Sequence, residues 1–104
     1  MNRALGMLGL CARAGALITG EKACIRRIRA GGACAAVLDG AAADNAVKAV
    51  SQACRTHGVP LVRTGPFELG SAIGKPDRMA AVITDAGLAK RVIELNQVEK
   101  NDIQ

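Results

Sequence analysis

A single phenylalanine stands alone in this chain, without Trp or Tyr, while alanine and glycine occupy twenty and twelve of its 104 positions. No core can be built here around a few large side chains. The interior must come from Val, Ile and Leu with closely packed Ala, which suits helices lying tight on a sheet. The length gives room for one domain and one core. The longest apolar runs are much shorter than a bilayer span, so a soluble protein is expected. Arg3 and Arg13 interrupt the N-terminal segment, which therefore does not read as a signal peptide.

Helical patterns alternate with short apolar runs. Asn2 can cap a first helix reaching about Ala14, with Leu5, Leu8 and Ala12 on one face and Gly15 behind it. Ala16 to Ile18 can form a short strand, and Thr19 or Gly20 starts a second helix ending at Gly31. Ala33 to Asp39 is an apolar run between glycines, the pattern of a buried strand. Asp44 or Asp39 can cap the next helix, whose inward stripe is Val47, Val50 and Cys54. Pro60 to Arg63 and Met79 to Thr84 read as strands. Pro66 suits the first turn of a short helix that ends near Gly74. Asp85 can cap a last helix through about Leu95, leaving residues 96–104 as a polar tail. The expectation is an α/β protein: a three-layer α-β-α sandwich with a mixed sheet of about four short strands, and one domain over residues 1–95.

Cys11, Cys24, Cys34 and Cys54 lie ten or more residues apart, without the short ligand spacings of a zinc site. They read as reduced, buried, structural thiols in a cytoplasmic protein, with no metal and no cofactor. Charge is informative through its placement. Residues 1–31 hold Arg3, Arg13, Lys22, Arg26, Arg27 and Arg29 against Glu21 alone, whereas the remainder balances eight basic against eight acidic groups. The whole net charge of +5 therefore sits in the first third, and such a localised field points to a polyanionic partner.

On the helix from Gly20, a turn of about 100° per residue sets Lys22, Arg26 and Arg29 within roughly 40° of one line. Cys24, Ile25 and Ile28 fall on another face, and Arg27 on the flank. A solvated surface is the ordinary fate of such a stripe. Here no interleaved Glu neutralises it, and Thr19-Gly20 leads into the backbone N–H groups of a helix start, a natural phosphate seat. One Phe cannot supply the stacking platforms of an RRM or OB module, so a polyanion would be met through its backbone and base edges.

The stretch Gly20-Glu21-Lys22-Ala23-Cys24-Ile25-Arg26 resembles the Gly-x-Asn-Glu-x-x-Lys signature of the kink-turn-binding ribosomal protein family, the L-seven-Ae and L-thirty-e types. Leu69-Gly70-x-Ala72-x-Gly74 resembles that family's Leu-Gly-x-Ala-x-Gly turn. Val37-Leu38, His57-Gly58-Val59-Pro60 and Ala81-Val82-Ile83 follow in the same order. The similarity spans residues 3 to about 95 and is closest to the small bacterial YlxQ-like members. It implies an RNA-binding protein whose motif helix enters the groove at tandem sheared G·A pairs. By position, Lys22 and Ala23 replace the Asn-Glu pair and Arg26 replaces the Lys; Ala23 cannot make the contact of the Glu. A second contact, on a flipped-out nucleotide, is implied for Ile73, Gly74, Lys75, Arg78 and Met79. The expected RNA-binding residues are thus Thr19, Gly20, Glu21, Lys22, Arg26 and Arg29, with that loop. Glu21 is rotated about 100° from Lys22, off the stripe.

The expected role is a monomeric, non-catalytic binder of a kink-turn or similarly bent RNA, associated with the ribosome and with no membrane partner. The alternative is a protein-interaction module that docks an acidic partner in ribosome biogenesis or translation. Gly70 to Lys75 superficially resembles a P-loop, but it is one residue short and Pro76 stands where Ser or Thr would bind magnesium. His57 reads as a dipole partner at a helix end. No nucleophile–base pair can be read.

Overall fold

Short apolar runs form the strands of this protein, and the amphipathic stretches between them form its helices. The computed structural model describes the backbone of residues 2–103 and the side chains of residues 2–97. In chain order the elements are α1 (Arg3–Arg13), β1 (Leu17–Thr19), α2 (Glu21–Ala30), β2 (Ala35–Leu38), α3 (Asp44–His57), β3 (Leu61–Arg63), α4 (Glu68–Ile73), β4 (Ala80–Ile83) and α5 (Ala86–Ile103). The sheet order is β1-β4-β2-β3. β2 and β3 are parallel, and β4 runs antiparallel to both β1 and β2. Among the described residues, no helix is long and apolar enough to cross a membrane.

Every residue of β2 and β4 is buried, because both sheet faces are covered. Alternate side chains feed two cores. Ala35, Val37, Ala81 and Ile83 pack with Leu8 and Cys11 of α1, Leu69 of α4, and Ala89 and Val92 of α5. Ala36, Leu38, Ala80 and Val82 face Cys24 and Ile28 of α2 and Val50, Ala53 and Cys54 of α3. This is the expected three-layer mixed-sheet sandwich; the pattern of elements indicates its covered sheet, though not the order of its strands. Small residues set its spacing: a Cβ added at Gly9 would lie 2.9 Å from the Ala72 carbonyl oxygen, so α1 and α4 touch almost backbone to backbone.

The helix ends show where local patterns suffice. The Asn2 carboxamide oxygen accepts from the Leu5 N–H at 3.1 Å, and the Asp85 carboxylate from the Leu88 N–H at 2.8 Å. Both caps are as expected. α3 differs: its N-cap is Ala43, with no side-chain cap, and Asp44 is already inside the first turn, where its charge still favours the helix dipole. α4 begins at Glu68, so Pro66 stands in the preceding turn rather than in the helix. β1 begins one residue later than the pattern indicates. α5 continues past Leu95 to Ile103, since residues 96–103 contain no Gly or Pro to stop it; the side chains of residues 98–104 lie outside the described residues.

Asp39 does not cap α3 either. It is fully buried at the end of β2, the one buried charged group among the described residues. Its carboxylate accepts from the N–H groups of Ala41 (2.8 Å), Phe67 (2.7 Å) and Leu69 (3.0 Å) and from the Thr64 hydroxyl (3.0 Å). Burial alone would raise its pKa. The donors from Leu69, Ala41, Phe67 and Thr64 outweigh that effect and hold the carboxyl below its ordinary range. Asp39 therefore ties the end of β2 to the start of α4, and it caps that short helix from across the fold.

All four cysteines are free, with Cys11, Cys24 and Cys54 buried and Cys34 half-buried. The Cys24 thiol donates to the Ile18 carbonyl at 3.5 Å. Burial, with a smaller effect from Cys54, pushes Cys24 up to about 12, and burial likewise raises Cys11 and Cys54. Thiols held protonated in this way are poor nucleophiles and serve as core residues.

Candidate nucleic-acid interface

The start of α2 is set by one glycine. Gly20 has φ 98° and ψ 138°, a conformation L side chains rarely adopt. Its N–H donates to the Ala80 carbonyl at 3.1 Å and fastens the helix start to the head of β4. Gly20 is thus not itself a free donor of the phosphate seat. With no side-chain cap, the open donors of the helix start are the next three N–H groups, of residues 21–23. Thr19 precedes them, paired with Ala81 across β1 and β4.

Along α2, Cys24 and Ile28 are fully buried and Ile25 is half-buried, so the opposite face is fixed outward. Lys22, Arg26 and Arg29 are exposed on it. Among the described residues none of these three cations has an ion-pair or hydrogen-bond partner. Arg29, at the far end, borders a crevice with Gln52, Thr56 and His57 of α3. Arg27 lies apart: a Cβ added at Gly32 would fall 2.5 Å from its Cδ, so its chain crosses the turn after α2.

The second expected element, the loop after α4, is held by backbone contacts. The Lys75 N–H donates to the Gly70 carbonyl at 2.9 Å, and the Arg78 N–H to the Lys75 carbonyl at 3.0 Å. A Cβ at Gly70 would lie 2.6 Å from the Lys75 oxygen and 2.7 Å from that of Pro76. The Leu69-Gly70-x-Ala72-x-Gly74 motif therefore has a packing cause. Leu69 fills the core, Gly70 lets the loop lie on α4, Ala72 meets Gly9, and Gly74 ends the helix in the left-handed region. Lys75, Asp77 and Arg78 are left exposed, with Ile73 and Met79 half-buried.

Helix start and loop adjoin. Gly20 and Glu21 line a shallow hollow with Asp77, Arg78 and Met79 of the loop and Ala46 of α3. A Cβ at Gly20 would come within 3.4 Å of the Arg78 guanidinium. Glu21 faces this hollow rather than the basic stripe, as its rotation implies. Thr19, Ile73, Gly74 and Lys75 lie on the other side of the loop, in a groove beneath α1. The expected residues other than Lys22, Arg26 and Arg29, which stay on the outer face of α2, thus divide between two sides of one loop. Sequence reasoning missed Arg13, which lines that groove with Thr19 and Lys75; its signal was the charge it adds to the basic first third. It also missed Ala46, whose side chain carries no chemistry to read.

The Ribosomal protein L7Ae/L30e/S12e/Gadd45 family model matches residues 3–93. The RNA-binding protein YlxQ of Bacillus subtilis (strain 168) is 34% identical over 90 residues, covering 86% of this chain and 90% of that protein. The Enterococcus faecium protein of the same name is 34% identical over 95 residues, 90% of this chain and 91% of its own. Among solved structures, a protein of unknown function from Bacillus halodurans superposes with a TM-score of 0.89 at 30% identity, over 93% of this chain and 99% of that one. The Giardia lamblia 15.5kD RNA binding protein shares the fold, with a TM-score of 0.73 at 21% identity over 90% of this chain and 84% of its own. With the order of its motifs and its three-layer fold, this match places the chain in the Ribosomal protein L7Ae/L30e/S12e/Gadd45 family.

Proposed function

We propose that this protein is a non-catalytic binder of bent, structured RNA of the kink-turn kind, acting in the cytoplasm in association with the ribosome. The observation that carries this reading is the row of partnerless cations on α2, standing beside a loop that abuts the start of the same helix. Lys22 and Arg26 lie one turn apart and can donate to neighbouring phosphates or to guanine O6 and N7. The unbonded first-turn N–H groups suit a phosphate. Lys75 to Met79 would form a second wall against an extruded nucleotide. Ala23 offers no carboxylate to a guanine edge, so this chain would discriminate less sharply than one with the Asn-Glu pair. The curated relatives, named as RNA-binding proteins, support the RNA-binding part of this reading.

The test is a titration with a hairpin carrying tandem G·A pairs and a three-nucleotide bulge, against a control in which G·C pairs repair the bend. Tighter binding to the bent hairpin is expected. Equal affinity would overturn it, and weak, shape-blind binding alongside a stable complex with an acidic protein would favour a docking module instead.

A further inference from the structure

The groove beneath α1 is longer than the second wall of the proposed RNA site requires. One end is lined by Thr19, Gly74 and Lys75, and the other by Leu5, Phe67 and Glu68. Gly9, Arg13, Ser71 and Ala72 belong to both halves, so the two hollows form one channel between α1 and α4. Its floor is the near backbone contact of Gly9 with Ala72. Arg13 and Lys75 line it as cations. Its one carboxylate among the described residues, on Glu68, is turned to accept from the Gly65 N–H at 2.7 Å. α1 contributes no acid.

At the far end stands Phe67, the only Phe, Trp or Tyr of the chain. It is 63% exposed and is the one non-glycine residue with positive φ, 63°, among the described residues. Its N–H is held by buried Asp39 at 2.7 Å. A strained backbone that displays an aromatic ring, instead of packing it, calls for a partner for that ring. Leu10, the other exposed large apolar residue among the described residues, does not line the channel. The lining thus offers one stacking platform, two cations and hydroxyls, not the cluster of apolar anchors a protein hot spot needs.

We propose that the α1–α4 channel holds a single-stranded segment of the bound RNA, with one base stacked on Phe67 and backbone phosphates on Arg13 and Lys75. This rests on the RNA-binding reading above and extends it from the bent element to the strand leaving it. One aromatic ring can hold one base, and the paired cations track the sugar–phosphate chain between that base and the loop.

Fluorescence anisotropy with tailed RNAs tests it. A tail of about six nucleotides is added to either end of the bent hairpin and of its G·C-repaired control. One tailed form is expected to bind at least about fivefold tighter than its untailed parent. Phe67→Ala should remove most of that gain while leaving untailed binding unchanged, Arg13→Gln should likewise lower the tailed-to-untailed ratio, and Lys90→Gln on α5 should leave the gain intact. Arg13→Gln should also shrink the salt slope of the tailed complex by about 0.7 unit. A 2-aminopurine in the tail should be quenched by the native protein and not by Phe67→Ala. No gain from either tail, or a gain that survives both variants, would overturn the proposal. The tailed-to-untailed ratio is read on each hairpin separately. Equal binding of the two hairpins would therefore defeat the bent-RNA reading without touching this one.

Discussion

Asp39 and the cations of α2 are opposite solutions to the problem of placing a charge. The carboxylate is fully buried and has four hydrogen-bond donors, all from this chain. Lys22, Arg26 and Arg29 are exposed and, among the described residues, have no partner. A buried charge persists only where the fold satisfies it. An outward row of like charges gains nothing from the fold and costs it a little self-repulsion. The first is part of the architecture, and the second, under the proposed function, is directed at RNA.

That contrast can be broken most forcefully at Asp39. Asp39→Ala leaves three N–H groups and a hydroxyl without their acceptor, and should lower unfolding stability by about 3 kcal/mol or more in urea titrations. Its pH dependence has a definite sign. The folded-state pKa is depressed, so the carboxylate stabilises the fold above its unfolded value of about 3.9, and that stability is lost as pH falls through the folded value. Asp39→Asn should flatten this acid limb. The α2 cations should behave in reverse. Lys22→Ala with Arg26→Ala is expected to weaken RNA binding by about ten- to a hundredfold and to reduce the salt slope by nearly two units. Stability should change by no more than about 0.5 kcal/mol.

Gly20 stands between the two cases, since it is structural and adjoins the proposed interface. Gly20→Ala forces an L side chain into φ 98° beside Arg78. It should cost about 1–3 kcal/mol and also weaken RNA binding. The smallest effect is expected at Phe67. Phe67→Gly relieves a left-handed backbone while removing an exposed ring, so thermal unfolding should shift by less than about 1 kcal/mol in either direction. A large loss there would mean that the ring supports the fold and does not merely face outward.

The elements themselves were legible because their signals are local. The apolar runs of β2 and β4, the caps at Asn2 and Asp85 and the inward stripe of α2 each repeat over a few neighbouring residues. The basic face of α2 followed from the same periodicity. Asp39 shows the limit. It reads locally as a helix cap, yet Phe67 and Leu69, which need it, lie 28 and 30 residues further on. The short α4 would otherwise start without any cap. No spacing rule reveals that debt. The channel was hidden for a similar reason. Arg13 looks like one more charge at the end of α1, and only the close approach of Gly9 to Ala72 brings it over α4 beside Lys75. The division of the expected RNA contacts between two sides of the loop also depends on how that loop lies across Gly70.

The pairing of β1 with β4 has a kinetic consequence. Leu17 is registered with Ile83 and Thr19 with Ala81, so an edge strand near one end of the chain waits for a partner near the other. Contacts of such long sequence separation have a high loop-closure cost and tend to form late. The hollow at the start of α2 exists only once that pairing is made, because Gly20 bonds directly to Ala80. A nascent or partly collapsed chain would carry the basic residues of α2 but not the assembled surface. Recognition of RNA would then double as a checkpoint on complete folding, with unfinished molecules left to bind by charge alone.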